Sequence, residues 1–367
     1  MKIAFDSQIF TIQEYGGISR YICSLAKQLN THHDVEAKIF APLHINAYLD
    51  SLPNSLAYGV RVPRIRNTGR IVNSASQLLS RVAISRFEPQ IVHETYFSSL
   101  SSTPKNARCV ITVHDMIHER LPLAFPRNSP PTSEWKIKSI KRADHVICVS
   151  EHTKQDLLEL TDISPEKISV VHHGFNQLTV SNTEKIAVSV PYLLYVGDRF
   201  GYKNFDGLLR AYASSSWLRG NLRIVCFGGG RLHANELLLI QSLGLTFQQV
   251  EQIGGNDEQL ATFYKNAAAF VYPSLYEGFG IPPLEAMSLN CPVICSDASS
   301  IPEVVGDAAE YFDAKNIDSI TAAIEGVLQS SEKRNFFIAK GVERCNKFSW
   351  KRCANETLTA YENLLNT

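Results

Sequence analysis

The chain has 367 residues, 44% of them hydrophobic and 20% charged, with lysine plus arginine matching aspartate plus glutamate at 36 each. That composition argues against a disordered or membranous chain, and the even charge balance argues against nucleic acid as the main partner. The length exceeds what one hydrophobic core serves, so two domains are expected.

The charge is unevenly spread. Residues 1–175 hold 20 basic and 16 acidic side chains, an excess of four positive charges that the remainder cancels, so the first half is the one suited to an anionic partner. The eight cysteines are scattered, several inside apolar runs such as "HVICVS" and "RIVCFG", with no CxxC pair. This is the pattern of buried, reduced thiols in a cytoplasmic protein. The start, "MKIAFDSQIF", lacks the apolar core of a signal peptide, and no apolar run approaches the roughly 20 residues that span a bilayer. The expected location is the cytoplasm, extending to the inner face of the cytoplasmic membrane.

In chain order, short runs rich in valine, isoleucine and aromatics predict strands at "KIAF", "AKIFA", "QIVHE", "CVITVH", "HVICVS" and "ISVVHH", then at "YLLYVG", "LRIVCFG", "AFVYPS" and "PVICS". Segments of helical period separate them, the alternation of parallel sheets covered by helices on both faces. The segment "ISRYICSLAKQL", 18–29, places Ile18, Tyr21, Ile22, Leu25 and Leu29 on one helical face. Ser150 is the expected N-cap of "EHTKQDLLEL". Between the two strand series, "GFNQLTVSNTEKIAVSVP", 174–191, has no clear period and reads as a linker. The expected domains are 1–175 on the acceptor side and 190–348 for the nucleotide, with 349–367 a final helix from about Trp350. Two doubly wound halves leave a cleft at the carboxyl ends of their strands, where function is to be sought.

The motifs fall at those ends. "PSLYEGFGIPPLEAM", 273–287, follows a strand and holds Glu277 and Glu285 eight positions apart. Pro282 or Pro283 fits a first helical turn, which places Glu285 in that turn and Glu277 in the loop before it. Gly278 and Gly280 leave backbone N–H groups bare at a helix start, a site for an anion, while carboxylates accept from sugar diols. The plainer reading of Glu285 is a glutamate complementing a helix dipole; two glutamates without a further ligand make a poor metal site. "YVGDRFGYKNF" places Arg199 and Lys203 four apart among glycines, so that two cations can converge on a departing diphosphate. Taken singly, these are ordinary loop charges.

Other strand ends carry weaker signals. "FGGGRL", 227–232, is a βα turn or a close approach to a nucleotide, and lacks the dinucleotide fingerprint. "TVHDMIH" sets His114 and Asp115 beyond a strand; the histidine can bond a sugar hydroxyl or hold charge near the reacting carbon, is commonly structural, and in HDxxH also suggests a metal. Gly16 and Gly17 in "EYGGISRY" allow backbone approach to a ligand or simply a tight turn. "HHG", 172–174, falls at the domain junction and reads as a hinge. Between 59 and 87 stand Arg61, Arg64, Arg66, Arg70, Arg81 and Arg86 with no acidic residue, either a face for an anionic membrane or lipid diphosphate or a solvated helix.

Together these residues resemble glycosyltransferase family 4, retaining enzymes of the GT-B fold, across most of the chain and above all from Tyr195 to Phe312. "YEGFGIPPLEAM" looks like the family's E(x7)E motif, "GDRFGYKN" its phosphate-binding Arg and Lys, and "VHD" and "EYGGISRY" its first-domain motifs. The resemblance implies an α/β GT-B fold of two doubly wound Rossmann-like domains facing a central cleft, with the C-terminal helix crossing back. It implies Glu277 on the donor sugar, Glu285 on the ribose, Arg199 and Lys203 on the diphosphate, and the amides of Gly278, Phe279 and Gly280 facing phosphate and sugar. His114 would sit by the transferred sugar, Gly16 and Gly17 near phosphate and acceptor, and Ile253 beside the base. The extra Gly-Tyr between the two charges of "DRFGYKN" departs from the family pattern and bears on the reach of Arg199. The implied donor is a GDP- or UDP-linked sugar, with no metal or other cofactor. The acceptor would be a glycan or a polyprenyl-diphosphate-linked one, and the "GGISRY" opening is similar to bacterial O-antigen and exopolysaccharide mannosyltransferases. Front-face attack, with the departing phosphate oxygen taking the acceptor's proton, would need no enzyme nucleophile.

Competing readings are an epimerase of the same fold, a phosphorylase using pyridoxal phosphate, a glycosidase with two carboxylates, and a catalytically silent sugar-nucleotide-binding protein. The first two need acid–base groups or a Schiff-base lysine that the motifs do not display. A glycosidase has no use for Arg199 and Lys203.

Overall fold

The computed structural model describes residues 1–64, 69–125, 131–180, 190–199 and 201–366, the side chain of Arg70 excepted. It divides into two compact units, 1–174 with 349–367, and 175–348.

In the first unit, strands β1 (Lys2–Phe5), β2 (Glu36–His44), β3 (Ala57–Arg61), β4 (Ile91–Glu94), β5 (Arg108–Val113), β6 (His145–Cys148) and β7 (Ile168–Val170) form a sheet in the order β3-β2-β1-β4-β5-β6-β7. Its neighbours pair in parallel. Central strands are buried on both faces, and β4 and β6 have no exposed residue, so that even their polar members His93, Glu94 and His145 lie in the interior. The helix Gly17–Leu29 lays Tyr21, Ile22, Leu25 and Leu29 on this sheet. The last helix, Trp350–Asn366, packs against it and puts Cys353, Ala354 and Tyr361 into the same core.

The second unit repeats the plan with β8 (Tyr192–Val196), β9 (Arg223–Phe227), β10 (Val250–Ile253), β11 (Ala269–Tyr272), β12 (Val293–Ser296) and β13 (Ala309–Phe312), ordered β10-β9-β8-β11-β12-β13 and parallel. From β8 the chain steps outward to β10, then returns to the other side of β8 at β11. The connections leaving β8 and β11 therefore diverge and open a crevice at their carboxyl ends, where ligands bind in such sheets.

The strand series omits β3 and β13, and touches β10 only through the segment around Ile253. All three are sheet edges. An edge strand is shielded on fewer sides, so "AYGVR", four-fifths of it exposed, shows no apolar run. Ser150 caps its helix as expected, its hydroxyl accepting from the Thr153 amide at 3.0 Å. All eight cysteines are free and buried. Half of the expected linker, 181–189, lies outside the described residues.

Candidate active site

The loops after β8 and β11 flank the crevice of the second unit, and each contributes one charged side chain to the same spot. Lys203 Nζ donates to Glu277 Oε1 at 2.7 Å, with both side chains largely enclosed. Burial pulls the Lys203 pKa down, but the adjacent Glu277 carboxylate, with Tyr202 and Asp198 adding to it, more than offsets this, so the ammonium holds its proton more firmly than a free lysine. The Tyr272 hydroxyl, at the end of β11, is held neutral by burial and by its hydrogen bond to the same carboxylate. A cation and a carboxylate set side by side at a sheet switch point can receive a phosphate and a hydroxyl of one ligand.

The β11 loop is braced from β12. Ser299 Oγ accepts from the Glu277 amide at 2.8 Å, and Ser300 Oγ donates to the Glu277 and Phe279 carbonyls at 2.9 and 3.1 Å. Phe279 is buried, edge-on to Phe348. Gly280 stands at φ 106°, a left-handed turn that glycine adopts without strain, and caps the helix Ile281–Ser288. Pro282 and Pro283 follow within its first turn. Glu285 does not: the helix begins at Ile281, so Glu285 belongs to the second turn, and no acidic residue complements the helix start. It is instead buried, accepting from the Tyr264 hydroxyl at 3.4 Å.

Arg199 differs from the expected convergence of two cations. Its guanidinium is buried and turned into the glycine loop after β9: Nε donates to Glu236 at 2.8 Å, Nη1 to the Gly228 carbonyl at 3.0 Å, and Nη2 to the carbonyls of Gly229, Gly230 and Arg231 at 3.0–3.3 Å. The three glycines lie at φ 67–81°, which aims successive carbonyls at one donor. A Cβ on Gly229 would stand 2.5 Å from the Gly197 carbonyl oxygen. The loop is sewn to β10 by the Gly228 amide, which donates to the carbonyl of Ile253 at 2.8 Å. Glu236 was invisible as a partner because it sits 37 residues from Arg199, in what reads as an ordinary capping position.

In the first unit, His114 follows β5. Burial, with His93 and Lys136 adding to it, pulls its pKa to about 3, which favours the neutral ring and contact with a sugar hydroxyl over a held charge. Its Nδ1 lies 3.4 Å from His173 Nε2, and Tyr21 packs edge-on against it. The HDxxH stretch is used otherwise. Lys136 donates to the Asp115 carbonyl and to Glu119 at 2.9 and 2.8 Å, while His118 stacks on Phe125. Gly16 is extended at the start of the helix Gly17–Leu29; a Cβ there would strike the Gln13 side chain, whereas Gly17 faces open space. Arg61 is paired with Glu14 and Asp50, acids from outside the arginine-rich segment. Arg66 lies outside the described residues.

Residues 15–177 match the model of Glycosyltransferase Family 4, and residues 177–344 that of glycosyl transferases group 1. O-antigen chain mannosyltransferase B of Escherichia coli is 28% identical over 99% of this chain and all of that one. Among solved structures, sucrose-phosphate synthase of Thermosynechococcus elongatus superposes with a TM-score of 0.78 at 18% identity, covering 100% and 99% of the two chains. Anabaena HepE, solved with UDP and glucose, gives 0.73 at 16% over 99% and 100%. The fold is the α/β GT-B fold, two Rossmann-like units with the last helix returned to the first. The chain belongs to the family 4 glycosyltransferases. The epimerase and silent-binder readings are not favoured.

Proposed function

We propose that the protein transfers a hexosyl unit, mannose foremost, from a GDP- or UDP-linked donor to a glycan or polyprenyl-diphosphate-linked acceptor in polysaccharide synthesis, with retention of configuration and without a metal. The Lys203–Glu277 pair at the β8/β11 switch point carries the reading. On donor binding Lys203 turns to the diphosphate and stabilises the charge that grows on it as the glycosidic bond breaks. Glu277 then takes sugar hydroxyls and Glu285 the ribose. The amides of Gly278, Phe279 and Gly280 face phosphate and sugar, with Ile253 at the base, Gly16 and Gly17 near the phosphate, and neutral His114 beside the transferred sugar. The acceptor attacks from the face the leaving group departs, and the phosphate oxygen removes its proton. Arg199 serves the nucleotide indirectly, by holding the glycine loop.

Relatives named as O-antigen mannosyltransferases support the sugar and the pathway class, and the UDP complex of HepE supports a nucleotide donor. The test is turnover of a panel of GDP- and UDP-hexoses with lipid-linked glycan acceptors, with and without EDTA. An α-linked product from an α-linked donor, undiminished by EDTA, is expected. Nucleotide release that requires a divalent ion, or an inverted product, overturns the mechanism.

No helix among the described residues is long and apolar enough to cross a membrane. The helix Gly69–Phe87 nonetheless exposes Ile71, Leu78, Leu79 and Val82 together with Arg81 and Arg86, and we assign to it contact with an anionic bilayer surface. Sedimentation with phosphatidylglycerol vesicles, and not with phosphatidylcholine vesicles, is expected.

A further inference from the structure

The "HHG" stretch is not absorbed by the reading above, and its place in the first unit suggests a role other than a hinge. Gly174 faces the start of the last helix so closely that a Cβ would stand 2.3 Å from the Trp350 amide nitrogen. This fixes the backbone beside His173. The His173 ring is buried and lies parallel to His114, with ring planes 11° and centroids 5.4 Å apart. Tyr21 presses edge-on against both imidazoles, at 5.2 and 4.6 Å, and Trp350 lies 6.4 Å from His173. Tyr21 is itself tied down: its hydroxyl meets Thr112 Oγ1 at 3.2 Å, Thr112 meets His93 Nε2 at 2.9 Å, and His93 Nδ1 meets the Tyr361 hydroxyl at 2.6 Å. The loop of His114 is anchored from beneath by Lys136 through the Asp115 carbonyl.

We infer that His173 is a positioning residue for His114, fixing the plane of its ring and the proton on it through the Nδ1···Nε2 contact. Two facing ring nitrogens 3.4 Å apart can share one proton between them. Burial lowers the pKa of both rings, so each stays neutral and the shared proton belongs to a neutral pair. Nδ1 of His114 is thereby committed inward, and Nε2 is the one ring atom left to meet a sugar hydroxyl. Its character as donor or acceptor is set by which partner holds the shared proton. The device resembles the way a metal-bound histidine is oriented through its second nitrogen, here applied to an imidazole that meets a sugar. The inference rests on the proposed place of His114 beside the transferred sugar.

A kinetic cycle of His114→Ala, His173→Leu and the double variant, with melting checked for each, tests it. His173→Leu is expected to lower kcat by about 10–100-fold with donor KM little changed, to cost nothing further once His114 is alanine, and to be partly rescued by His173→Gln. Histidine 15N spectra of the unliganded protein give a second measurement that needs no turnover. The His114 Nδ1 resonance must shift in His173→Leu. Additive losses in the cycle, or an unmoved Nδ1 in a normally folded variant, overturn the inference. Parent-like turnover by His114→Ala removes the role of His114 itself and the inference with it, a result distinguishable from additivity because it appears in the single variant.

Discussion

Replacing Arg199 by alanine separates two kinds of arginine. A guanidinium that serves as a diphosphate ligand can be removed with loss of affinity and little loss of stability. The one seen here is closed on itself: its pair with Glu236 leaves 1% and 9% of the two side chains exposed, and four glycine-loop carbonyls complete its bonds. Removing one partner of such a buried pair strands the other charge, at about 3–5 kcal/mol. For a unit of this size each kcal/mol shifts the midpoint by about 2–4 °C, so Arg199→Ala should lower the melting of the second unit by about 6–20 °C. Calorimetry reads it, since two units can melt as separate transitions. Glu236→Gln should be non-additive with Arg199→Ala, and Arg199→Lys should fall between, keeping the carboxylate bond and losing the fork to the carbonyls. A variant that melts within about 2 °C of the parent while nucleotide affinity collapses would refute the reasoning and return Arg199 to the diphosphate.

Lys203→Ala should behave oppositely, with a fall of about 10²–10³ in turnover and a much smaller change in melting than Arg199→Ala, measured on the same donor panel. Gly229→Ala adds a Cβ 2.5 Å from the Gly197 carbonyl at a left-handed φ of 67°; destabilisation of about 1–3 kcal/mol and a raised donor KM are expected from denaturant titration and kinetics. Tyr361→Phe removes the hydroxyl from His93 Nδ1 and should loosen the last helix by about 1–3 kcal/mol, seen as faster proteolysis within 350–366. Acid should weaken the first unit. Both His93 and His114 have folded pKa values depressed from 6.5 to about 3 by burial. The unfolded chain therefore binds protons first, and the stability these rings contribute above 6.5 is lost as pH falls from 6.5 toward 3, by up to about 1.4 kcal/mol per pH unit for each ring. A His93→Gln variant should show a shallower fall of melting temperature below pH 6.5; an unchanged slope would show that His93 does not titrate as its burial demands.

Much of this was legible in the chain itself. Interior strands bury both faces, so β8 and β11 had to be written as unbroken apolar runs. The stripe of Tyr21, Ile22, Leu25 and Leu29 had to follow the 3.6-residue period, and the glycines and prolines around Glu277 had to sit where a strand turns into a helix. Those demands act over a few residues, and a sequence records them locally. The partners of charged and polar side chains are not local. Lys203 meets Glu277 across 74 positions, Arg199 meets Glu236 across 37, His114 meets His173 across 59 and His93 meets Tyr361 across 268. Only the folded chain decided that Arg199 turns into the glycine loop, that Glu285 falls one turn past the helix start, and that burial keeps His114 neutral. The reason is that a buried charge or imidazole takes its state from whichever acceptor and how much water the tertiary structure leaves beside it, and neither quantity is written in the residues on either side.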